Sequence, residues 1–87
     1  MTIDQLTIAI SVFEVAETQV SILYHSNFRP GKAAELRIAE LEMATAAVAS
    51  KAAFDAASED VKTEYLAVNY NRRIMSKINR VIAKQTV

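Results

Sequence analysis

The chain contains no cysteine, which excludes disulfides and thiolate metal sites and makes a reducing, cytoplasmic setting the simplest expectation. Its one histidine, His25, has no second histidine or cysteine with which to share a metal. Serines and threonines are plentiful, but a nucleophile needs a base and an orienting partner, which a single histidine in so short a chain does not supply. Glu35, Glu40 and Glu42 do not form the Glu-x-x-His pattern of a carboxylate-bridged metal bundle. The chain is therefore expected to be neither an enzyme nor the holder of a cofactor. Charge of one sign is also lacking: 10 Lys and Arg balance 10 Asp and Glu, which argues against a generic polyanion binder. The start, MTID, has no basic region, and the apolar run after it is interrupted by Glu14, Glu17 and Gln19. Neither a signal peptide nor a membrane span is expected, and no membrane partner.

Glycine and proline occur once each, side by side in Arg29-Pro30-Gly31-Lys32. Proline suits the second position of a type II turn and glycine supplies the positive φ at the third, so this is the strongest boundary in the chain. Ser26, Asn27 and Phe28 before it read as a short interhelical loop, and a connection that short predicts antiparallel neighbours.

What is present is apolar. At 87 residues and 52% hydrophobic, the chain is one domain with more surface to bury than a minimal core covers, so self-association is expected to help it. Three helices are predicted, at about 3–25, 32–56 and 59–84. Thr2 and Gln5 form the pattern of a capping box at the start of the first. Leu6, Ala9, Phe13, Ala16, Val20 and Tyr24 line one face of it, and Ile8, Val12, Val15, Ile22 and Leu23 widen that face on one side. Apolar over well more than half its circumference, this helix needs more than one neighbour, and Ile8, Val12, Val15 and Ile22 are the expected oligomer interface.

The alanine-rich middle helix carries two stripes, Ala34, Ile38, Leu41, Val48 and Ala52 on one side and Leu36, Met43, Ala47 and Phe54 on roughly the other. The expectation is that the first and third helices cover one each, with the middle helix at the centre of the fold. Ser58, followed by Glu59 and Asp60, offers an N-cap with acids in the first turn, so a turn is expected near residues 55–58, with a kinked continuous helix as the alternative. In the last segment Val61, Tyr65, Val68, Met75, Ile78 and Ile82 share a face, widened by Leu66, Tyr70, Ile74 and Val81. The tail from Gln85 is expected to fray.

The balanced total hides a gradient. Residues 1–28 carry Asp4, Glu14 and Glu17 and no base, whereas from Asn69 onward Arg72, Arg73, Lys77, Arg80 and Lys84 occur without an acid. Such a helix face can meet an acidic protein patch or phosphates, with Asn69, Asn71 and Asn79 among side chains that read base edges. The acids of the first helix are alternative partners for it, within the chain or between subunits. Tyr24, Tyr65 and Tyr70 read as core-rim residues, ring inward and hydroxyl outward.

Pro30 to Ala49, with Leu36, Ile38, Leu41, Glu42, Ala44 and the alanines that follow, resembles the helical segment of small phage proteins that sequester cyclic-nucleotide messengers. The resemblance covers under a quarter of the chain, and the long basic third segment departs from the pattern. A separate expectation is a ligand sponge, in which an oligomer interface encloses a small anionic molecule against Arg29, Lys32 or Arg72.

The sequence thus predicts an all-α fold, an antiparallel three-helix bundle or a helical hairpin plus a third helix, assembling as a homo-oligomer. The expected function is that of a small non-enzymatic interaction protein, of the phage or bacterial accessory kind, that binds and modulates or inhibits a larger protein through Arg72, Arg73, Lys77, Arg80 and Lys84. Nucleic-acid binding through the same face and a sponge for a small anionic ligand are the alternatives.

Overall fold

A computed structural model describes residues 1–85, and all its regular structure is helical: α1 (Ile3–His25), α2 (Lys32–Ala56), α3 (Glu59–Leu66) and α4 (Asn69–Gln85). Of the tail expected to fray from Gln85, residues 86–87 lie outside the described residues, and Gln85 is helical.

α1 opens on the predicted capping box. The Thr2 hydroxyl accepts from the Gln5 backbone N–H at 3.2 Å, and the Gln5 side chain accepts from the Thr2 N–H at 2.8 Å, satisfying two donors that a helix start leaves free. At the other end Lys32 Nζ donates to the Ser26 carbonyl at 2.5 Å and to the Tyr24 carbonyl at 3.5 Å, a cation at the negative end of the helix. The turn between α1 and α2 is closed by the Lys32 N–H donating to the Arg29 carbonyl, with Gly31 at φ 86° and ψ −7°, the type II geometry that requires glycine there. α2 runs back along α1, so that Leu23 meets Ala39 while Val12 lies level with Thr45.

Residues 55–58 break the chain instead of kinking it. Ala57 and Ser58 are extended, at ψ 155° and 159°, and the Ser58 hydroxyl accepts from the Val61 N–H to start α3. Phe54 closes this corner, with Tyr65 edge-on at 6.3 Å and the ammonium groups of Lys51 and Lys62 5.9 and 5.8 Å from its ring centre.

The single third helix expected over 59–84 is corrected to two, separated at Ala67 and Val68. The reason is phase. Nine residues at about 100° each turn Ile74 to the opposite side of a straight helix from Tyr65, yet both are buried. The break lets each reach the core. It is sealed without glycine or proline: the Ala67 N–H is shared between the Thr63 and Glu64 carbonyls, and Asn71 Nδ2 donates at 3.0 Å to the Tyr65 carbonyl, which a continuous helix would have given to residue 69. Val68, expected on the buried face, is exposed in this turn.

The core joins Leu6, Ile10 and Phe13 of α1, Ala46 and Ala47 of α2, Ala57, Tyr65 of α3, and Ile74, Met75 and Ile78 of α4. Ile10, which the predicted face of α1 omitted, is fully buried, and Tyr24, which it included, is exposed. α4 runs in the same sense as α1, tied to it by Tyr70 Oη donating to Glu14 at 2.6 Å and by Lys77 Nζ to Glu17 at 3.3 Å. The whole is elongated, 48 × 24 × 18 Å.

Candidate interaction surfaces

The two stripes of α2 do not each find a cover. Ala39, Ala46, Ala47 and Ser50 are buried, with Met43 and Phe54 half-buried beside them, so one arc of small residues serves both α1 and α4. Small side chains let helix axes approach closely, which is why the alanine arc takes the inside. The other stripe, expected to pack on a neighbouring helix, is exposed from Ala34 to Ala52. That expectation is corrected.

This outward stripe joins a second one. On α1, Ile8, Val12, Val15 and Ile22 are exposed, nearly opposite the buried Phe13. Together with Ile38, Leu41 and Val48 of α2 they make seven large apolar side chains, each between 51% and 70% exposed. A groove of about 400 Å³ lined by Val12, Ile38, Leu41, Glu42, Thr45, Ala46 and Ala49 links the two helices. The result is an apolar face on the outer side of the α1/α2 hairpin, bordered at Leu41 and at Ile22 by concavities that α4 shares. Soluble monomers rarely leave so large a contiguous patch without a use for it. By length and composition α1, with a mean hydropathy of 1.5 over its most apolar window, is apolar enough to cross a membrane, although Glu14 and Glu17 hold α4 on its flank.

The basic residues of α4 lie on another surface. Arg72, Arg73, Lys77 and Arg80 surround, with Ser76, a shallow concavity of about 310 Å³. Lys84 stands a turn further on, at the rim of a separate concavity that also includes Arg37, Glu40 and Val81. The arc is partly engaged within the chain, because Lys77 meets Glu17 and Arg72 Nη2 donates to Asn69 Oδ1 at 2.9 Å. Among the described residues Arg73, Arg80 and Lys84 make no ion pair. Of the cations considered for a small anion, Arg29 pairs with Glu35 and Lys32 caps α1, both at the α1–α2 turn, whereas Arg72 belongs to the first turn of α4.

The tyrosines divide. Tyr65 is buried, contrary to the rim position expected of it, and burial pushes its phenol up to about 12, with the negative charge of Glu14 adding to the effect. Tyr70 is exposed, and its hydrogen bond to the Glu14 carboxylate raises it, since the bond is made by the protonated hydroxyl. His25 Nδ1 lies 2.9 Å from the Ser21 carbonyl. No group of three or more His, Cys, Asp or Glu suited to a metal ion occurs among the described residues. Comparison with protein-family models, with curated proteins and with solved structures finds no match to this chain.

The α2 half of the apolar face was missed by sequence reasoning, although its stripe was visible. Of the stripe read as Leu36, Met43, Ala47 and Phe54, Ala47 is buried and the other three are half-buried, and what marks this side as the inner one is the row of small residues beside it, Ala39, Ala46 and Ser50, which lets α1 and α4 approach closely.

Proposed function

We propose that this chain is a small non-enzymatic interaction protein and that the uncharged face of Ile8, Val12, Val15, Ile22, Ile38, Leu41 and Val48 is its principal contact surface. The observation that supports this reading is the size and continuity of that face, built from two helices held rigidly by the α1/α2 hairpin. Modulation of a larger protein remains the biological role that fits: occlusion of the partner's surface by the apolar face, with the α4 cations steering approach toward acidic ground. The test is affinity capture from the native source with the wild-type chain and with Val12→Glu or Leu41→Glu. The reading expects proteins held by the wild type and lost with both variants; the same proteins captured by all three would contradict it.

A second reading has its own observation. Four cations around one concavity on α4 suit a phosphate-bearing polymer. Under it, replacing Arg73 and Arg80 by alanine weakens binding to unrelated DNA or RNA sequences alike and flattens its salt dependence, and absence of binding at low salt removes it.

A further inference from the structure

The exposed stripes have a period. On α1 the outward residues are Ile8, Val12, Val15, Gln19 and Ile22, spaced 4, 3, 4 and 3; on α2 they are Ala34, Ile38, Leu41, Thr45, Val48 and Ala52, spaced 4, 3, 4, 3 and 4. Alternating steps of three and four are the 3.5-residue repeat of helices that pack along one another with interdigitating side chains. An extended peptide, with its period of two, would not match such a spacing. No residue of either seam is charged; Gln19, one step from the end of the first, and Thr45, near the middle of the second, are the polar members. Glu42 stands beside the groove between them, within the same stretch as Gln19.

We infer that a second copy of this chain seats on the α1/α2 face, so that the two hairpins form a four-helix layer with the α4 helices outside. The inference rests on the reading of that face as the contact surface and names its occupant in the free protein, a copy that a larger protein displaces when it binds. Three observations favour a copy over an unrelated protein. A pair of helices with uncharged seams at the same spacing fits alongside this face, and the chain itself carries such a pair. The seams themselves carry no charge, so a two-fold axis sets neutral seam against neutral seam, with Glu42 in the groove between them a carboxylate that the contact must accommodate. The area is sufficient: a face about 27 Å long, from the rise of the longer seam, and roughly 20 Å across two helices approaches the ~800 Å² that each partner of an ordinary stable complex contributes once the relief of its side chains is counted. Toward the α1–α2 turn Gln19 and Glu42 line one concavity, where the Gln19 amide is a donor available to the carboxylate, and a polar contact beside apolar seams fixes register.

Sedimentation equilibrium on the full chain, from low micromolar to millimolar concentration, tests this, with Val12→Glu and Leu41→Glu beside the wild type and Arg73→Ala as a control on α4. The expected result is a mass that saturates at twice 9.6 kDa, a dissociation constant raised roughly 30-fold or more by either glutamate, and no change with R73A. All substituted positions are exposed, and circular dichroism verifies their helix content; should either glutamate variant lose helix, V15K at the more exposed Val15 replaces it. A monomer throughout, a dimer indifferent to the face variants, or a mass that grows without saturating overturns the inference. Binding of the monomer to phosphatidylcholine vesicles also overturns it, in favour of lipid. If the chain is monomeric yet capture from the native source depends on Val12 and Leu41, the inference fails and the contact-surface reading stands.

Discussion

Ser50 is the polar side chain the core tolerates least. It is buried, and its Oγ has no hydrogen-bond partner, so the fold carries the cost of a desolvated hydroxyl. Ser50→Ala removes that group with almost no change of shape, and we expect it to raise stability by about 1 kcal/mol; urea denaturation reads the difference, and a loss of stability would show that the hydroxyl is engaged. Tyr65 sets a pH limit. Its phenol ionises at about 12 in the fold against 10 in the unfolded chain. Between those values the unfolded chain releases a proton that the folded chain keeps, so stability is complete below pH 10 and falls as pH rises toward 12. The loss is on the order of 2 kcal/mol. Tyr70, raised by its bond to Glu14, acts in the same direction. Unfolding curves across this range should fall less steeply for Tyr65→Phe than for the wild type, and parallel curves would contradict the assignment.

At the scale of the element, the corner between α3 and α4 depends on one side chain. Asn71 Nδ2 satisfies the Tyr65 carbonyl, whose other donor, the Val68 N–H, is 3.4 Å away. Asn71→Ala is expected to cost about 1 kcal/mol in chemical denaturation while the exposed Asn79→Ala, the matched control, costs a few tenths at most. Equal losses would remove the capping role. This corner also shows where the sequence stops being legible. Thr2 with Gln5, Pro30 with Gly31, and Ser58 with its acids announce helix ends through local chemistry, and the structure places ends at each. No such residue stands at Ala67 and Val68, and the break is dictated by the need to bury Tyr65 and Ile74, which sit on opposite sides of a continuous helix. Local patterns also reveal that a stripe is apolar without revealing what covers it. Both stripes of α2 are readable; that the Leu36, Met43, Ala47 and Phe54 side, with Ala39, Ala46 and Ser50 beside it, faces inward and the Ile38, Leu41 and Val48 side outward depends on how closely α1 and α4 approach, which is a property of the packed set.

Across the whole molecule the acidic start and basic end of the chain are brought side by side. Because α4 runs in the same sense as α1, Glu14 meets Tyr70 and Glu17 meets Lys77, which answers part of the charge gradient within one chain. These exposed contacts orient α4 more than they stabilise it. The surface is then divided, with cations along α4 and an apolar face on the outer side of the hairpin. A chain of 87 residues whose middle helix contributes mostly alanine to the core has little interior to draw on. Covering the outer face adds apolar burial of the kind the interior lacks. Methyl NMR with a soluble paramagnetic agent measures that cover most directly. The account predicts that the Ile8, Ile22 and Ile38 methyls are shielded at high protein concentration nearly as well as Ile10 and Ile78 and become accessible on dilution; methyls of Ile8, Ile22 and Ile38 that remain fully accessible at every concentration would contradict it.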